Sequence, residues 1–378
     1  MDVDFSRYSR QILLPRVGID GQRKINQASV LIIGAGGLGS PISLYLAAAG
    51  VGRLGIVDPD QVSVSNLQRQ ILYSTSMVGD MKVEAAKLRL MDLNPDCQVD
   101  IFRVAFRSDN AHEIADGFEI LVDGTDNLTT RYLINDLCVL TARPYVFGAI
   151  QQFDGQVALF DSRIGPCYRC VFGDPLPVEH IPLPADSGVL GVLPGLVGLL
   201  QAAETLKIIL GIGETLAGKL VLVSSLNAGF ERIEVQKDPR CPVCGENPEI
   251  KALLDYGEHC GASYHNEPID LNEDCEITSS ELADRLKQGE AINLVDLRTA
   301  LERDISHIPG AAHIPYHQLG KKFDVLDQKA AYVLFCRAGK TSVWAQNQLH
   351  KAGFSKVRYL KGGINAWAEE IDPSMPQY

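Results

Sequence analysis

At 378 residues, with 46% hydrophobic and 22% charged positions, the chain is too long for one ordinary domain and supplies ample material for two cores, as expected of a soluble globular protein. A formal net charge of −12 argues against nucleic-acid binding as a main role, because phosphate contacts need clustered Lys and Arg. No N-terminal run joins basic residues to an apolar stretch, and the longest apolar segment, 189–212, is interrupted by Pro194, Glu204 and Lys207. That segment is expected to be a buried helix or a dimer face, with no membrane partner and a cytoplasmic address.

Taken in chain order, residues 29–33 form a short apolar run that predicts a buried strand. It is followed by Gly34-Ala35-Gly36-Gly37-Leu38-Gly39, in which Gly34, Gly36, Gly37 and Gly39 allow a tight turn and a close approach of backbone to phosphates at a helix N-terminus. On its own this suits any dinucleotide binder, and Asp58, after Gly55-Ile56-Val57, stands where a ribose-binding acid belongs. An NAD- or FAD-dependent oxidoreductase is therefore one reading. The next cations along the chain favour another. Arg69, within Ser65-Asn66-Leu67-Gln68-Arg69-Gln70, and Lys82 supply positive charge that hydride transfer does not need. Attack of a carboxylate on the α-phosphate of ATP does need it, because its barrier falls mainly through charge aimed at the leaving pyrophosphate. Asp126 follows the apolar strand 120–123, at a strand end where an acidic oxygen can hold magnesium; the plainer alternative is a helix N-cap before 128–134.

These blocks carry a resemblance. With Arg7-Tyr8-Ser9-Arg10-Gln11 before them, Asp58-Pro59-Asp60 and Thr125-Asp126-Asn127 among them and two Cys pairs after them, residues 4 to about 247 resemble the MoeB/ThiF family, the bacterial relatives of ubiquitin-activating enzymes. The resemblance implies that ATP is bound with Asp58 on the ribose and Asn66, Arg69 and Lys82 on the phosphates. Asp126 would serve Mg2+, with Asn127 beside it in the nucleotide site. Arg10 would be an arginine finger supplied by the other subunit of a homodimer.

Cys167-Tyr168-Arg169-Cys170 and Cys241-Pro242-Val243-Cys244 are two CxxC pairs separated by 70 residues. Either alone could be a redox motif. Two complete pairs without an open fourth position favour one closed, structural Zn2+ site formed by Cys167, Cys170, Cys241 and Cys244, and the family carries the same arrangement. Between the pairs, 173–188 contains Pro175, Pro177, Pro182 and Pro184 and resembles the family's crossover loop, over which a carrier protein's tail passes. Many relatives carry a cysteine where this chain has Pro184, so a thioester relay has no obvious nucleophile here.

The polar stretch 248–275 predicts a linker from a first domain, 1–247, to a second, 276–378. In the second, 277–288 has helical spacing after the cap candidates Thr278 and Ser279, 291–296 is a strand ending in acid, and 331–335 is an apolar strand. The last runs into Cys336-Arg337-Ala338-Gly339-Lys340-Thr341-Ser342, where backbone N–H groups with Arg337 and Lys340 form an anion nest around a thiol. A lone cysteine ending an apolar strand is usually buried filling. Together with Leu294-Val295-Asp296-Leu297-Arg298, His307-Ile308-Pro309-Gly310-Ala311 and Leu360-Lys361-Gly362-Gly363-Ile364-Asn365-Ala366-Trp367, however, this segment resembles the rhodanese sulfurtransferase domain. The resemblance implies a persulfide on Cys336, loaded by a donor such as a cysteine desulfurase, with Asp296 and Arg298 as a structural ion pair or loop anchor. Thr341 departs from the usual Arg and removes one cation from the cradle.

The expected architecture is α/β: a Rossmann-like adenylating domain with a mostly parallel sheet, joined to a small α/β rhodanese domain. The expected chemistry is adenylation of the C-terminal carboxylate of a small ubiquitin-like sulfur-carrier protein of the MoaD/ThiS type, then attack by the Cys336 persulfide to give a thiocarboxylate. Such carriers serve molybdenum cofactor, thiamine, cysteine, siderophore and tRNA-thiolation chemistry. The rivals are a non-catalytic scaffold for carrier traffic and an NAD-dependent oxidoreductase fused to a cysteine-phosphatase-like domain. With no crossover thiol, release of the thiocarboxylate is expected to depend on an external thiol, with Cys97, Cys138, Cys260 and Cys275 as internal competitors, Cys260 and Cys275 in the linker foremost among them.

Overall fold

The computed structural model describes residues 4–175, 188–255 and 275–377. The chain forms two compact units, Met1–Ala262 and Ser263–Tyr378. Most of the expected linker (256–274, with Cys260) and most of the proline-rich crossover segment (176–187, with Pro184) lie outside the described residues.

In the first unit, strands β1 (Ser29–Ile33), β2 (Arg53–Val57), β3 (Gln98–Phe102), β4 (Ile120–Asp123), β5 (Tyr145–Gln151), β6 (Asp154–Phe160), β7 (Lys219–Ser224) and β8 (Gly229–Glu234) form one sheet in the order β3-β2-β1-β4-β5-β6-β7-β8. The pairs from β3 through β5 are parallel, and those from β5 to β8 antiparallel. β1 is buried along its whole length, as its unbroken apolar sequence requires of a central parallel strand covered on both faces. After β1 the chain turns to β2 on one side, then returns to β4 on the other, which opens a crevice at the strand ends. Register fixes what meets there: Ile33 is level with both Val57 and Asp123, so the segments after β1, β2 and β4 emerge side by side.

The apolar segment 189–212 contains the helix Leu193–Leu210, which is long and apolar enough to cross a membrane yet packs into this unit's core through Leu193, Val197 and Ala202. Pro194 does not break it, because proline is tolerated in the first helical turn, where amide hydrogens have no intrahelical partner. Glu204 is buried and ion-paired with Lys207 one turn on, and its carboxylate accepts from the Leu216 amide. Val192 and Leu199 remain exposed beside it.

The second unit has strands β9 (Glu276–Ile277), β10 (Ile292–Asp296), β11 (Ala312–His313), β12 (Ala331–Phe335) and β13 (Val357–Leu360) in a parallel sheet of order β11-β10-β12-β13-β9. The helix expected over 277–288 runs from Ser279 to Lys287, because Thr278 caps it by accepting from the Glu281 amide. Ser279 is its first helical residue, not its cap. The expected strand at 291–296 begins one residue later, at Ile292. Asp296 is level with Phe335, so residues following β10 and β12 share one edge, as in the first unit.

Candidate active site

The glycine segment turns where three strand ends meet. Gly34 has φ of 96°, and a methyl group on it would lie 2.6 Å from the Gly124 carbonyl oxygen. Only glycine fits there, because the loops after β1 and β4 touch backbone to backbone. Gly36 is different: a methyl group there would meet nothing closer than the Gln70 amide nitrogen at 3.7 Å, so its backbone faces open space that a ligand can approach. Gly37 and Gly39 complete the turn into the helix Gly39–Ala49.

Asp58, at the end of β2, is buried and holds this loop. Its Oδ2 accepts from the Ala35 amide at 2.8 Å, and its Oδ1 from the Asp60 amide at 2.9 Å. Burial raises the Asp58 pKa, and the Lys82 ammonium 3.8 Å away opposes the rise. Lys82 begins the helix Lys82–Leu93; it is buried and donates to Asp60 at 2.8 Å. Arg69 is half-buried and donates to the Ser65 carbonyl at 3.1 Å, while Asn66 accepts from the Ser63 amide at 3.2 Å. Gln70, to which no sequence motif assigns a role, is buried with its Oε1 lacking a hydrogen-bond partner among the described residues. An orphaned amide oxygen beside an open glycine backbone fits a site that takes a polar ligand.

Asp126 is exposed on the turn after β4. The cap of the helix Leu128–Leu140 is Asn127, whose side chain accepts from the Thr130 amide at 3.2 Å, so Asp126 is left free of that duty. The turn is pinned from beneath. Asp123, fully buried, accepts from the Thr125 amide at 2.8 Å, the Thr125 hydroxyl at 2.7 Å and the Tyr145 hydroxyl at 2.8 Å. Arg131 lies 3.5 Å from Asp123 and donates to the Thr125 carbonyl at 3.1 Å; Gln201 donates to the Asp123 carbonyl at 2.7 Å. Burial pushes the Asp123 carboxyl upward, against Arg131 and the two donating hydroxyls. Arg131, Tyr145 and Gln201 come from three separate elements, and no spacing in the chain announces their convergence.

Arg10 lies on the helix Phe5–Ile12, whose inward side is anchored by Tyr8 against Gly50 and by Gln11 donating to Gln22 at 2.7 Å and to the Ala49 carbonyl at 3.2 Å. With its neighbours at 8 and 11 holding the helix down, Arg10 faces solvent.

The four knuckle cysteines converge, their sulfurs all within 4.8 Å of one another. Cys167–Cys170 is 3.8 Å, Cys167–Cys241 3.6 Å and Cys170–Cys244 3.4 Å. Sulfurs about 2.3 Å from one tetrahedral zinc stand about 3.8 Å apart, so this donor set fits such an ion. The Cys167 sulfur 3.6 Å away pulls the Cys241 thiol down from its ordinary value. Arg169, inside the first knuckle, is buried on Asp136 at 2.9 Å and also reaches Asp174 at 2.6 Å. The knuckle is thereby tied to the helix that Asn127 caps.

In the second unit, Cys336 follows β12 and is 5% exposed. Its carbonyl accepts from the Ile364 amide at 2.9 Å, and a methyl group on Gly363 would lie 2.4 Å from that oxygen. The Gly362-Gly363 turn thus clamps the thiol loop from one side. The loop ends at Gly339, φ 88°, which opens the helix Lys340–Lys351. Cys336 Sγ stands 3.6 Å from the Ser342 hydroxyl. Arg337 is exposed; the Lys340 side chain lies outside the described residues. Asp296 and Arg298 form a buried ion pair with a shortest contact of 2.6 Å, and Arg298 also donates to the Ser306 carbonyl at 2.7 Å, bracing the loop after β10. Of the remaining thiols, Cys97 and Cys138 are buried, which raises both, Cys97 to about 12. Cys275 is half-buried.

Comparison with known proteins matches residues 8–243 to the ThiF family and residues 278–370 to the rhodanese-like domain. The "Sulfur carrier protein adenylyltransferase" of Thermus thermophilus is 51% identical over 263 residues, covering 68% of this chain and 97% of that protein. The "Probable adenylyltransferase/sulfurtransferase MoeZ" of Mycobacterium tuberculosis is 39% identical over 381 residues, covering 99% of this chain and 95% of that one. Among solved structures, E. coli MccB with ATP superposes with a TM-score of 0.57 at 26% identity, over 63% of this chain and 74% of the MccB chain.

Proposed function

Because this chain belongs to the ThiF family and ends in a rhodanese-like domain, we propose that it adenylates the C-terminal carboxylate of a small sulfur-carrier protein and then passes sulfur to it from Cys336. The chain is an adenylyltransferase and a sulfurtransferase, and the scaffold and oxidoreductase readings fall away. The observation that carries the first half is the common edge of β1, β2 and β4, where register sets the open glycine backbone, the Asp58–Lys82 pair and the Asp126 turn side by side.

On this reading the backbone at Gly36 receives phosphate oxygens, and Arg69 and Lys82 neutralise the charge that gathers on pyrophosphate as it leaves. Lys82 would exchange Asp60 for phosphate, a swap its exposed partner makes inexpensive. Asp58 keeps a lone pair on each oxygen for ribose hydroxyls while holding the loop. Asp126 would hold magnesium, which would supply positive charge at the phosphates. Arg10, facing solvent, would act on the partner's nucleotide in a homodimer. The knuckle cysteines would hold zinc in a closed, non-catalytic site.

The outer sulfur of a Cys336 persulfide then attacks the acyl adenylate, AMP leaves with the electron pair, and an acyl disulfide joins carrier to Cys336. A second thiol breaks that disulfide and frees the thiocarboxylate. Cys97 and Cys138 are unsuited to this, since burial keeps their thiols protonated and enclosed. ATP–pyrophosphate exchange is the test. Exchange should depend on an added ubiquitin-like sulfur carrier, and once Cys336 has been loaded from a persulfide donor, intact mass should show a carrier adduct on Cys336 that dithiothreitol converts to thiocarboxylate. Absence of exchange across the carriers for molybdopterin, thiamine, cysteine, siderophore and tRNA-thiolation chemistry would overturn the proposal.

A further inference from the structure

Ser342 is fully buried on the third residue of the helix that starts at Lys340, and its hydroxyl has two neighbours. One is the Gly339 carbonyl, to which it donates at 2.9 Å; the other is Cys336 Sγ at 3.6 Å. We propose that Ser342 is a catalytic residue of sulfur loading, a hydroxyl that accepts from the Cys336 thiol at rest and turns to donate to the thiolate. The inference rests on the reading of Cys336 as the sulfur-bearing residue.

The geometry makes the turn inexpensive. A buried carbonyl that loses its donor normally costs as much as a lost hydrogen bond, but the Gly339 oxygen also accepts from the Val343 amide at 3.3 Å and keeps that partner when the hydroxyl rotates. A hydroxyl carries one proton and two lone pairs, so the same atom serves thiol and thiolate without any movement of the backbone. The clamp of Gly363 on the Cys336 carbonyl and the buried position of Ser342 keep the two side chains in register.

The proposal separates the steps of the reaction by where charge sits. In loading, Cys336 thiolate attacks the outer sulfur of a persulfide donor; a Sγ–S bond forms, the donor's S–S bond breaks, and the donor leaves as thiolate. In discharge to cyanide, a C–S bond forms, the Sγ–S bond breaks, and Cys336 leaves as thiolate. Both pass through charge on Sγ, which Ser342 can meet. In acylation, the outer sulfur attacks and Sγ keeps its bonds throughout, so Ser342 has nothing to stabilise.

The test uses the full chain. Ser342→Ala should slow loading from glutathione persulfide and discharge to cyanide by about tenfold each, the size expected for a lost hydrogen bond to a charged group. Acylation of the preloaded persulfide by acetyl adenylate, followed by intact mass, should proceed at the wild-type rate. Ser342→Thr, which keeps the hydroxyl, should restore most of the loading rate. Equal slowing of all three reactions, or loss in Ser342→Thr as deep as in Ser342→Ala, would make the residue structural and overturn the proposal, as would loading in Ser342→Ala at the wild-type rate. Failure of the wild-type chain to take up sulfur that Cys336→Ser does not take up would instead remove the reading of Cys336, and this proposal with it.

Discussion

The first unit's site is assembled from segments far apart in the chain, at residues 34–39, 58–70, 82 and 123–131, whereas the second unit's site is essentially one run, 336–342, clamped by one turn. The difference follows from what each has to do. Adenylation must spread stabilisation over a polyanion, so several groups share the task and each contributes part. Sulfur transfer needs one nucleophilic atom held at a strand end, and the surrounding loop exists to position and charge it. A dispersed site should therefore weaken by degrees when single residues are removed, while the contiguous one should fail outright.

The largest effect is expected from Cys336→Ser. Sulfur transfer should be abolished with no detectable persulfide by intact mass, while ATP–pyrophosphate exchange stays within about twofold of wild type. A matching loss of exchange would mean that the two sites are not separable.

Next comes Arg10→Ala, expected to lower exchange by about a hundredfold, the scale of removing one charge-stabilising group. Asp126→Ala should cost a similar factor. If Arg10 acts on the partner's nucleotide, mixed dimers of the two variants should recover part of the activity that each parent lacks; verified mixed dimers with none would place Arg10 on its own chain's site or outside the chemistry.

A smaller loss, about tenfold in exchange, is expected of Arg131→Met, which leaves Asp123 buried without its cation and loosens the Thr125 carbonyl. Because Arg131 pairs with Asp123 and holds the Thr125 carbonyl, Asp123→Asn combined with Arg131→Met should do less harm than Arg131→Met alone. Additive losses would contradict the pairing.

The smallest catalytic effect belongs to the knuckles. Metal analysis should give about one zinc per chain, and chelation should lower the unfolding midpoint by roughly 10 °C while the fraction still folded retains its exchange activity. A stable, metal-free protein would remove the zinc reading.

What the sequence determined is what depends on neighbours along the chain. The unbroken apolar run of β1, the glycine turn after it, Thr278 ahead of a helix and the spacing within each Cys pair all act through local backbone geometry, and a local signal suffices to read them. The structure also chose between readings that the sequence left open: Asn127, not Asp126, caps its helix, and the segment around Pro194 is a buried helix with the proline in its first turn. Only the tertiary structure decided which distant groups meet. That Asp123, Arg131, Tyr145 and Gln201 converge beneath one turn, and that the Gln70 side chain lies near Gly36 with an amide oxygen unpartnered among the described residues, follow from strand register and helix packing. Those are set by pairings between segments tens of residues apart, and a parallel sheet records no trace of its neighbours' order in the periodicity of any one strand.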